Sequence, residues 1–294
     1  MTGENVRFGV AGWSYPDWEG RVYPRGAGDR LAYVAAYFDT VEINSSFYRI
    51  PNPKDTKSWA GRVSGNPRFS FTVKLFQGFT HREGNSISEN DATQFKKALT
   101  PLREAGRLGA VLAQFPWSFK NSPDSGKKLA ALMEMFREYS LVLEVRHSSW
   151  DTEEFHRFLQ DNDVGLCAID QPVLRNSLKP SSFASGKVGY VRLHGRNADA
   201  WFREDAGRDA RYDYLYSGDE LDEWVERIRK IASKKPDTFV IGNNHFRGKG
   251  ACNILQLKSK FNGEKLHIPQ PLLASYPDLE EIAVEPSGQL NLFR

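Results

Sequence analysis

The sequence predicts a single-domain α/β protein folded as a TIM-like (β/α)₈ barrel. Eight apolar strand-like segments occur along the chain, and nearly all are followed by a helix or by a loop long enough to contain one. The chain has 294 residues, which accommodates a barrel of about 250 residues. A doubly wound open sheet is the structural alternative. It is disfavoured because neither GxGxxG nor GxxxxGK[ST] occurs at a strand-to-helix turn.

The first half of the chain contains five of the predicted strands. They are residues 6–13, 40–44, 69–76, 108–116 and 141–147. Helices are predicted between them where apolar residues recur three and four positions apart. The predicted helices are residues 29–37, residues 54–62, a helix that Ser88 and Asp91 would cap and Pro101 would bend, and the segment around 129–136.

The second half repeats the alternation of strand and helix. Its predicted strands are residues 164–170, 188–195 and 238–243. Asp151 and Glu154 are expected to cap the helix before the first of them, and Ser217 with Glu220 matches a capping box. A helix over residues 250–261 completes the barrel, and residues 263–294 are predicted to be a tail packed outside it.

Composition excludes several classes of protein. Hydrophobic residues make up 40% and charged residues 26% of the chain, which is typical of a soluble globular protein. The formal net charge of +3 is too small to indicate binding to nucleic acid or to a membrane surface. Cys167 and Cys252 form no CxxC pair, so a disulfide framework is not expected. With no long apolar segment, we expect a cytoplasmic protein without a membrane partner.

Polar residues occur at the carboxyl ends of most predicted strands, although strands buried on both faces should be apolar. In the fifth strand, Glu144 and Arg146 lie two residues apart and therefore share one face. Active sites of this fold lie at the carboxyl end of the barrel, so we expect these side chains to converge on one pocket. The strand-end residues are Glu42, Asn44, Thr72, Lys74, Gln114, Glu144, Arg146, Asp170, His194 and Asn244.

We predict that the catalytic residues belong to this set. Glu144 or Glu42 would be the general base. His194 or Lys74 would be the proton donor or electrophile, and Arg146 would hold an anionic oxygen. Lys74 as a Schiff-base amine is a second chemical option. Alternatively, the charges neutralise one another and only fill the top of the barrel, although burying several ions at a cost of several kcal/mol each favours a function.

A glycine-rich loop, GNNHFRGKG at residues 242–250, lies between the last strand and the last helix. Its backbone N–H groups and the amino terminus of the helix predict an anion site at Gly248, Lys249 and Gly250. An ordinary turn is the alternative interpretation. The full set of predicted substrate-binding residues is Trp13, Asn44, Tyr48, Gln114, Asp170, Tyr214, Asn243, Asn244, Gly248, Lys249 and Gly250.

Aromatic residues are concentrated at or just beyond the predicted strand ends. They could stack on sugar rings or bases, or they could hold the long loops together as a second small core. His147 and Trp150 are expected to support the loop after the fifth strand. The aromatic residues at strand ends are Trp13, Tyr15, Trp18, Phe47, Tyr48, Trp117, Trp150, Trp201 and Tyr214.

No cofactor is predicted. A divalent metal is not favoured, because the histidines have neither HxH nor HExxH spacing. No GxSxG elbow is present to support covalent acyl chemistry. If a metal did bind, the residues that could hold it are Glu42, Glu144, Asp170 and His194.

Several of these segments together resemble the YecE-like proteins, a domain of unknown function (number 72). The resemblance extends from about residue 6 to 261, and it implies a TIM-like barrel without an established activity, substrate or cofactor. The family has also been compared with endonuclease IV-like barrels, but a three-zinc pattern of histidines and carboxylates is not visible here. The matching segments are GVAGWSY (9–15), VEINSSFY (41–48), FTVK (71–74), QFP (114–116), EVRH (144–147), YVRLHG (190–195) and NNH (243–245).

Three functions are compatible with these observations. The first is an enzyme that acts on a small anionic substrate, phosphorylated or sugar-like, by acid/base chemistry at the carboxyl end of the barrel. The second is a nucleic-acid-binding protein or phosphodiesterase, in which the aromatic residues stack on bases and loop arginines contact phosphates. The third is a noncatalytic barrel that binds a ligand. The loop arginines are Arg196, Arg203, Arg208 and Arg211.

Overall fold

The structure is a computed structural model. It describes residues 5–82, 84, 87–174, 176–201, 203 and 207–285. Its described strands are all parallel and form one sheet in the order β6-β5-β4-β3-β2-β1-β9-β8-β7. They are β1 (Val6–Ala11), β2 (Thr40–Ile43), β3 (Ser70–Lys74), β4 (Leu108–Gln114), β5 (Leu141–Glu144), β6 (Gly165–Leu166), β7 (Ala168–Asp170), β8 (Gly189–Leu193) and β9 (Thr238–Gly242).

The two ends of this sheet meet, so it is a nearly closed barrel and the predicted fold is confirmed. Strand β6 pairs with β5, β7 pairs with β8, and only Cys167 separates β6 from β7. The sixth predicted strand is therefore two short strands rather than one. The Cys167 N–H donates to Leu143 O at the break, so the chain passes from one neighbouring strand to the other within a single residue.

The helices lie between the strands as predicted, with additional short helices in the loops. The predicted helix cap at Asp151 is wrong: the N-cap is Thr152, whose hydroxyl accepts from the Phe155 N–H. The helices are α1 (Arg30–Ala35), α2 (Ser45–Tyr48), α3 (Pro53–Arg62), α4 (Gln77–Thr80), α5 (Glu89–Glu104), α6 (Pro123–Met135), α7 (Glu153–Asp161), α8 (Ala198–Trp201), α9 (Gly207–Ala210), α10 (Gly218–Ala232), α11 (Lys249–Asn262) and α12 (Gln270–Ser275).

The predicted caps at Ser88 and Ser217 are present. The Ser88 hydroxyl accepts from the Asp91 N–H at the start of α5. At α10, Ser217 and Glu220 form a full capping box, in which each side chain accepts from the other residue's backbone N–H. These two short motifs therefore fix where the helices begin.

Several of the strand-end tryptophans belong to the core rather than to a ligand-binding rim. Trp18 and Trp150 are fully buried, and Trp201 is largely buried. Trp150 stacks on Phe119 and donates its indole N–H to Phe119 O. Trp13 is only partly buried. The loops thus contain a second packed layer, and some aromatic residues remain accessible.

The segment after α11 packs against the barrel through buried leucines. Leu272 of α12 is fully buried, and so is Leu279 in the 3₁₀ helix Pro277–Ile282. Part of the predicted tail, residues 286–294, lies outside the described residues. Within the described ranges, none of the helices is both long enough and apolar enough to cross a membrane.

Candidate functional site

A cavity of about 360 Å³ opens at the carboxyl ends of the strands. It contains seven of the predicted site residues, Trp13, Asn44, Tyr48, Lys74, Gln114, Arg146 and Asn243, and this agrees with the expected convergence of strand ends. The other lining residues are Gly12, Ser14, Tyr15, Ser45, Arg192, Tyr212 and His245.

Glu144 lies beneath the cavity as the centre of a buried ion-pair network. Its Oε1 accepts from Nε and Nη2 of Arg146 at 2.9 and 2.7 Å, and its Oε2 accepts from Nη1 of Arg192 at 2.5 Å. Burial would raise the pKa of Glu144, but Arg192 and Arg146 outweigh it and hold the pKa well below its ordinary value. With both oxygens in charge-assisted hydrogen bonds, Glu144 is a poor proton acceptor at neutral pH.

Glu42 is engaged in the same way. Its Oε1 accepts from Nη2 of Arg192 at 2.7 Å, and its Oε2 accepts from the Tyr190 hydroxyl at 2.9 Å. The Glu42 side chain is fully buried and does not line the cavity. Glu42 and Glu144 therefore hold Arg192 between them, and the predicted role of either carboxylate as general base has no support in this geometry.

Arg192 is the main residue that the sequence-based site prediction missed. It is 1% exposed, yet it lines the cavity, and its Nε has no hydrogen-bond partner among the described residues. The signal was present, because Arg192 lies two residues before His194 within an apolar strand, the same spacing that relates Glu144 to Arg146. Its pKa is raised, since Glu144 and Glu42 outweigh the effect of burial.

Lys74 places its ammonium at the cavity without a carboxylate partner. Within the described chain it has no ion pair or side-chain hydrogen bond, and its Nζ lies 4.0 Å from the centre of the Phe47 ring. Burial, followed by the positive charge of Arg192, lowers the pKa of Lys74 to about 7. A large fraction of this amine is therefore neutral at physiological pH and can accept a proton.

His194 is a buried neutral imidazole behind the cavity. Asn243 Nδ2 lies 2.8 Å from its Nδ1, and Glu144 Oε1 lies 3.2 Å from its Nε2. If Asn243 donates to Nδ1, the ring proton is on Nε2, facing Glu144. Burial lowers the pKa of His194 to about 3. The fully buried ring does not line the cavity, so it can orient Glu144 but does not contact a ligand there.

Three predicted binding residues point to the outer helical layer instead of the cavity. Asp170 accepts from Arg196 and from the indole N–H of Trp224 on α10. Asn244 donates to Tyr214 O and to Asn253 on α11. Successive residues at a strand end face opposite sides, so Asn243 faces inward and Asn244 outward. The third is Tyr214, whose hydroxyl donates to Glu220 Oε1.

The glycine-rich loop does not bring its predicted anion-binding groups to the cavity. The Gly248 N–H donates to His245 O, and the Gly250 N–H donates to Asn244 O. The Lys249 ammonium pairs with Asp213. These groups already have protein partners, and the loop matches the alternative interpretation of an ordinary turn.

His147 beside the site has structural partners, whereas the buried Oδ1 of Asn44, which lines the cavity, has none among the described residues. His147 caps the 3₁₀ helix Ser148–Trp150 through its Nδ1, and its ring packs against Trp117, as expected for a supporting residue.

Among the described residues, no group of three or more His, Cys, Asp or Glu side chains is arranged to hold a metal ion.

Comparisons with known proteins place this barrel in one group. The family described as "Protein of unknown function DUF72" matches residues 7–276. UPF0759 protein YunF of Bacillus subtilis is 28% identical over 268 residues, which cover 86% of this chain and 93% of that protein. UPF0759 protein YecE of Escherichia coli K12 is 25% identical over 189 residues, which cover 61% of this chain and 64% of that protein.

Solved structures give the same result. A DUF72 family protein from Thermotoga maritima matches with a TM-score of 0.78 and 32% identity, covering 87% of this chain and 98% of that one. Another DUF72 family protein, from Enterococcus faecalis, matches with a TM-score of 0.79 and 25% identity over 89% of this chain and 97% of that one.

Proposed function

The chain belongs to the DUF72 family of proteins of unknown function, and we propose that it is an enzyme acting on a small anionic substrate at the carboxyl end of the barrel. One observation carries the proposal. The guanidinium groups of Arg146 and Arg192 and the amine of Lys74 line the cavity, and no Asp or Glu is among the described lining residues.

The arginines are suited to bind the anionic group. Glu144 pairs with both and Glu42 with Arg192, so the two guanidinium groups are held in fixed positions at the base of the cavity. The unpartnered Nε of Arg192 offers a further donor from a buried position. Prepositioned charged donors bind carboxylate or phosphate strongly because little reorganisation is needed.

Lys74 is the proposed proton acceptor in the reaction. A general base acts best when its pKa is close to the working pH, and the pKa of Lys74 is lowered to about 7. The carboxylates predicted for this role are occupied by arginines. The acid/base function is therefore proposed for the amine, and Glu42 and Glu144 are proposed as positioning residues.

The first test is anion binding by the folded protein. We expect inorganic phosphate, measured by isothermal titration calorimetry, to bind at least 10-fold more weakly to Arg146→Gln than to the unmodified protein. Arg137→Gln is the matched control, because Arg137 is exposed, pairs with Glu134 on α6 and does not line the cavity. Equal phosphate affinity in all three proteins would contradict the proposed anion site.

The second test separates an enzyme from a noncatalytic barrel. A panel of phosphorylated and carboxylated compounds is screened for turnover with the unmodified protein and with Lys74→Met. Turnover that is lost in Lys74→Met while phosphate still binds supports the proposed enzyme. Phosphate binding without turnover of any compound favours a ligand-binding barrel.

A cytoplasmic location is part of the proposal, because Cys167 and Cys252 are free thiols.

A further inference from the structure

The aromatic residues that line the cavity come from one arc of the barrel, here called the aromatic arc, whereas the cationic residues belong to β3, β8 and the loop after β5. Strands β9, β1 and β2 are adjacent in the sheet, as are β3, β4 and β5. The aromatic residues come from the loops that follow β8, β9, β1 and β2, and they are Tyr212, His245, Trp13, Tyr15 and Tyr48. Lys74 ends β3 and Arg146 follows β5, while Arg192 of β8 reaches towards β5 and pairs with Glu144.

Two rings of the aromatic arc are stacked, and a third is tilted against them. The ring centres of Tyr15 and His245 are 4.4 Å apart with an interplanar angle of 8°, and the ring centres of Tyr212 and His245 are 4.9 Å apart with an interplanar angle of 36°. Trp13 packs edge-on against Trp59 at 5.4 Å. Both Tyr15 and Trp13 remain partly accessible and line the cavity.

This stack is fixed before any ligand binds. The Tyr15 hydroxyl donates to Ala11 O, and the buried indole N–H of Trp18 donates to His245 O at 2.7 Å. These hydrogen bonds anchor the Tyr15 ring and the backbone of His245. A surface whose rotamers are already fixed loses little conformational entropy when a flat molecule packs on it.

We propose that the substrate has two parts: an anionic group bound by Arg146 and Arg192, and a flat ring that packs on the aromatic arc. The ring is a pyranose or an aromatic ring, since both present a flat face to tyrosine and tryptophan. This inference rests on the proposed function and adds the substrate class. The cavity of about 360 Å³ is of the size that holds a single small molecule.

The test compares phosphate compounds that differ only in the group attached to the phosphate. Binding of inorganic phosphate, glycerol 3-phosphate, glucose 6-phosphate and phenyl phosphate is measured by isothermal titration calorimetry. We expect at least one ring compound to bind about 10-fold more tightly than glycerol 3-phosphate, as stacking of a ring on an aromatic side chain predicts. The compound that gains affinity identifies the ring as pyranose or aromatic.

Two variants locate the gain. Tyr212→Leu and Trp13→Leu are expected to remove the preference for the ring compound and to leave the affinity for inorganic phosphate within about twofold. Tyr37→Leu is the control, because Tyr37 is partly buried beside Tyr33 and does not line the cavity. Far-UV circular dichroism confirms that each variant is folded. A gain that survives both cavity variants would overturn the aromatic arc as the binding surface.

The remaining outcomes separate this inference from the proposed function. If all four compounds bind equally, the ring-binding inference is wrong and the anion site stands. If the ring compounds bind, inorganic phosphate does not, and Arg146→Gln leaves the affinity for the ring compounds unchanged, the proposed anion site is wrong. If none of the four compounds binds, both proposals are overturned.

Discussion

At the scale of single residues, Lys74 shows the conflict between stability and function. Its pKa is lowered from 10.5 to about 7 by burial and by Arg192, a difference that corresponds to roughly 5 kcal/mol. Between pH 7 and pH 10.5 the unfolded chain binds the proton and the folded chain does not. The free energy of unfolding therefore rises with pH through this window. Below pH 7 the full destabilisation caused by the lowered pKa of Lys74 is present.

We predict that Lys74→Met stabilises the protein at pH 6 by several kcal/mol and that the gain disappears by about pH 10.5. Methionine keeps an unbranched side chain and introduces no charge to be desolvated. Urea denaturation at pH 6, 8 and 10 measures the difference. Lys57→Met, at an exposed position of α3, is the control and should show no such pH dependence. A stability gain in Lys74→Met that is the same at all three pH values would contradict the lowered pKa.

The sequence predicted which strand-end side chains share a face, because alternate residues of a strand point to the same side. It did not predict which of these side chains form ion pairs with one another. The two-residue spacing of Glu144 and Arg146 correctly predicted one face, and the same rule would have found Arg192 beside His194. Parity cannot show which carboxylate is already neutralised, because that depends on strands far apart in sequence. Arg192 on β8 contacts Glu42 from β2 and Glu144 from β5, so the roles within the cluster required the structure.

At the scale of elements, Asp170 connects the barrel to its helical layer. It ends β7 and accepts both from Arg196 and, at 2.5 Å, from the Trp224 indole on α10. Arg196 also pairs with Glu220 in the capping box of α10. The sequence placed Asp170 at a strand end but could not show that its side chain faces outward. Its contacts indicate a structural role.

We predict that Asp170→Asn destabilises the protein by about 3 kcal/mol, because the charge-assisted hydrogen bonds of the fully buried Asp170 carboxylate to Arg196 and Trp224 are lost. Chemical denaturation measures the loss. Phosphate affinity should stay within twofold of the unmodified protein, since Asp170 does not line the cavity. The combination of full stability and lost phosphate binding would instead assign Asp170 to the site.

The turn before α11 gives a second prediction at this scale. Gly248 has φ +81°, and an added Cβ would lie 2.6 Å from Val22 Cγ2. Gly263, at the other end of the same helix, has φ +70° and no atom within 4 Å of such a Cβ. Gly263→Ala meets only the backbone cost of about 1 kcal/mol, whereas Gly248→Ala adds overpacking of roughly 1–3 kcal/mol.

Gly248→Ala should therefore lower the free energy of unfolding by clearly more than Gly263→Ala, as measured in parallel urea titrations. Phosphate binding by folded Gly248→Ala should be unchanged, because the Gly248 N–H donates to His245 O. A loss of phosphate affinity without a loss of stability would restore the anion site that the sequence predicted at this loop. The glycine-rich pattern alone predicts a tight turn equally well, which is why it could not decide between the two.

At the scale of the whole molecule, the barrel was predictable because the pattern of a strand followed by a helix recurs along the chain. Eight apolar strand segments with helices between them led to the correct fold even though the sixth strand is broken at Cys167. Single errors in element bounds or caps, such as Asp151 in place of Thr152, do not change the order of the strands. The function depends instead on a few side chains that meet once, so no repetition in the sequence corrects an error there.

The distribution of charge over the molecule also bears on the nucleic-acid hypothesis. The chain carries a formal charge of only +3. Of the loop arginines predicted to contact phosphates, Arg196 is bound to Asp170 and Glu220. Arg211 donates to Arg203 O, and the side chain of Arg208 lies outside the described residues. Lys74, which lines the cavity, has no ion pair within the described ranges.

We therefore predict weak binding to nucleic acid, with a dissociation constant above about 10⁻⁴ M at 150 mM salt, the upper end of the range of nonspecific DNA binders. Fluorescence anisotropy with labelled single-stranded and duplex DNA, from 50 to 200 mM salt, measures this. A protein that contacts several phosphates would instead bind tightly at 50 mM salt and lose affinity steeply with added salt. If such binding were found and were reduced by Arg203→Gln but not by Arg146→Gln, the loop arginines would form the interface and the cavity would not be the principal binding site.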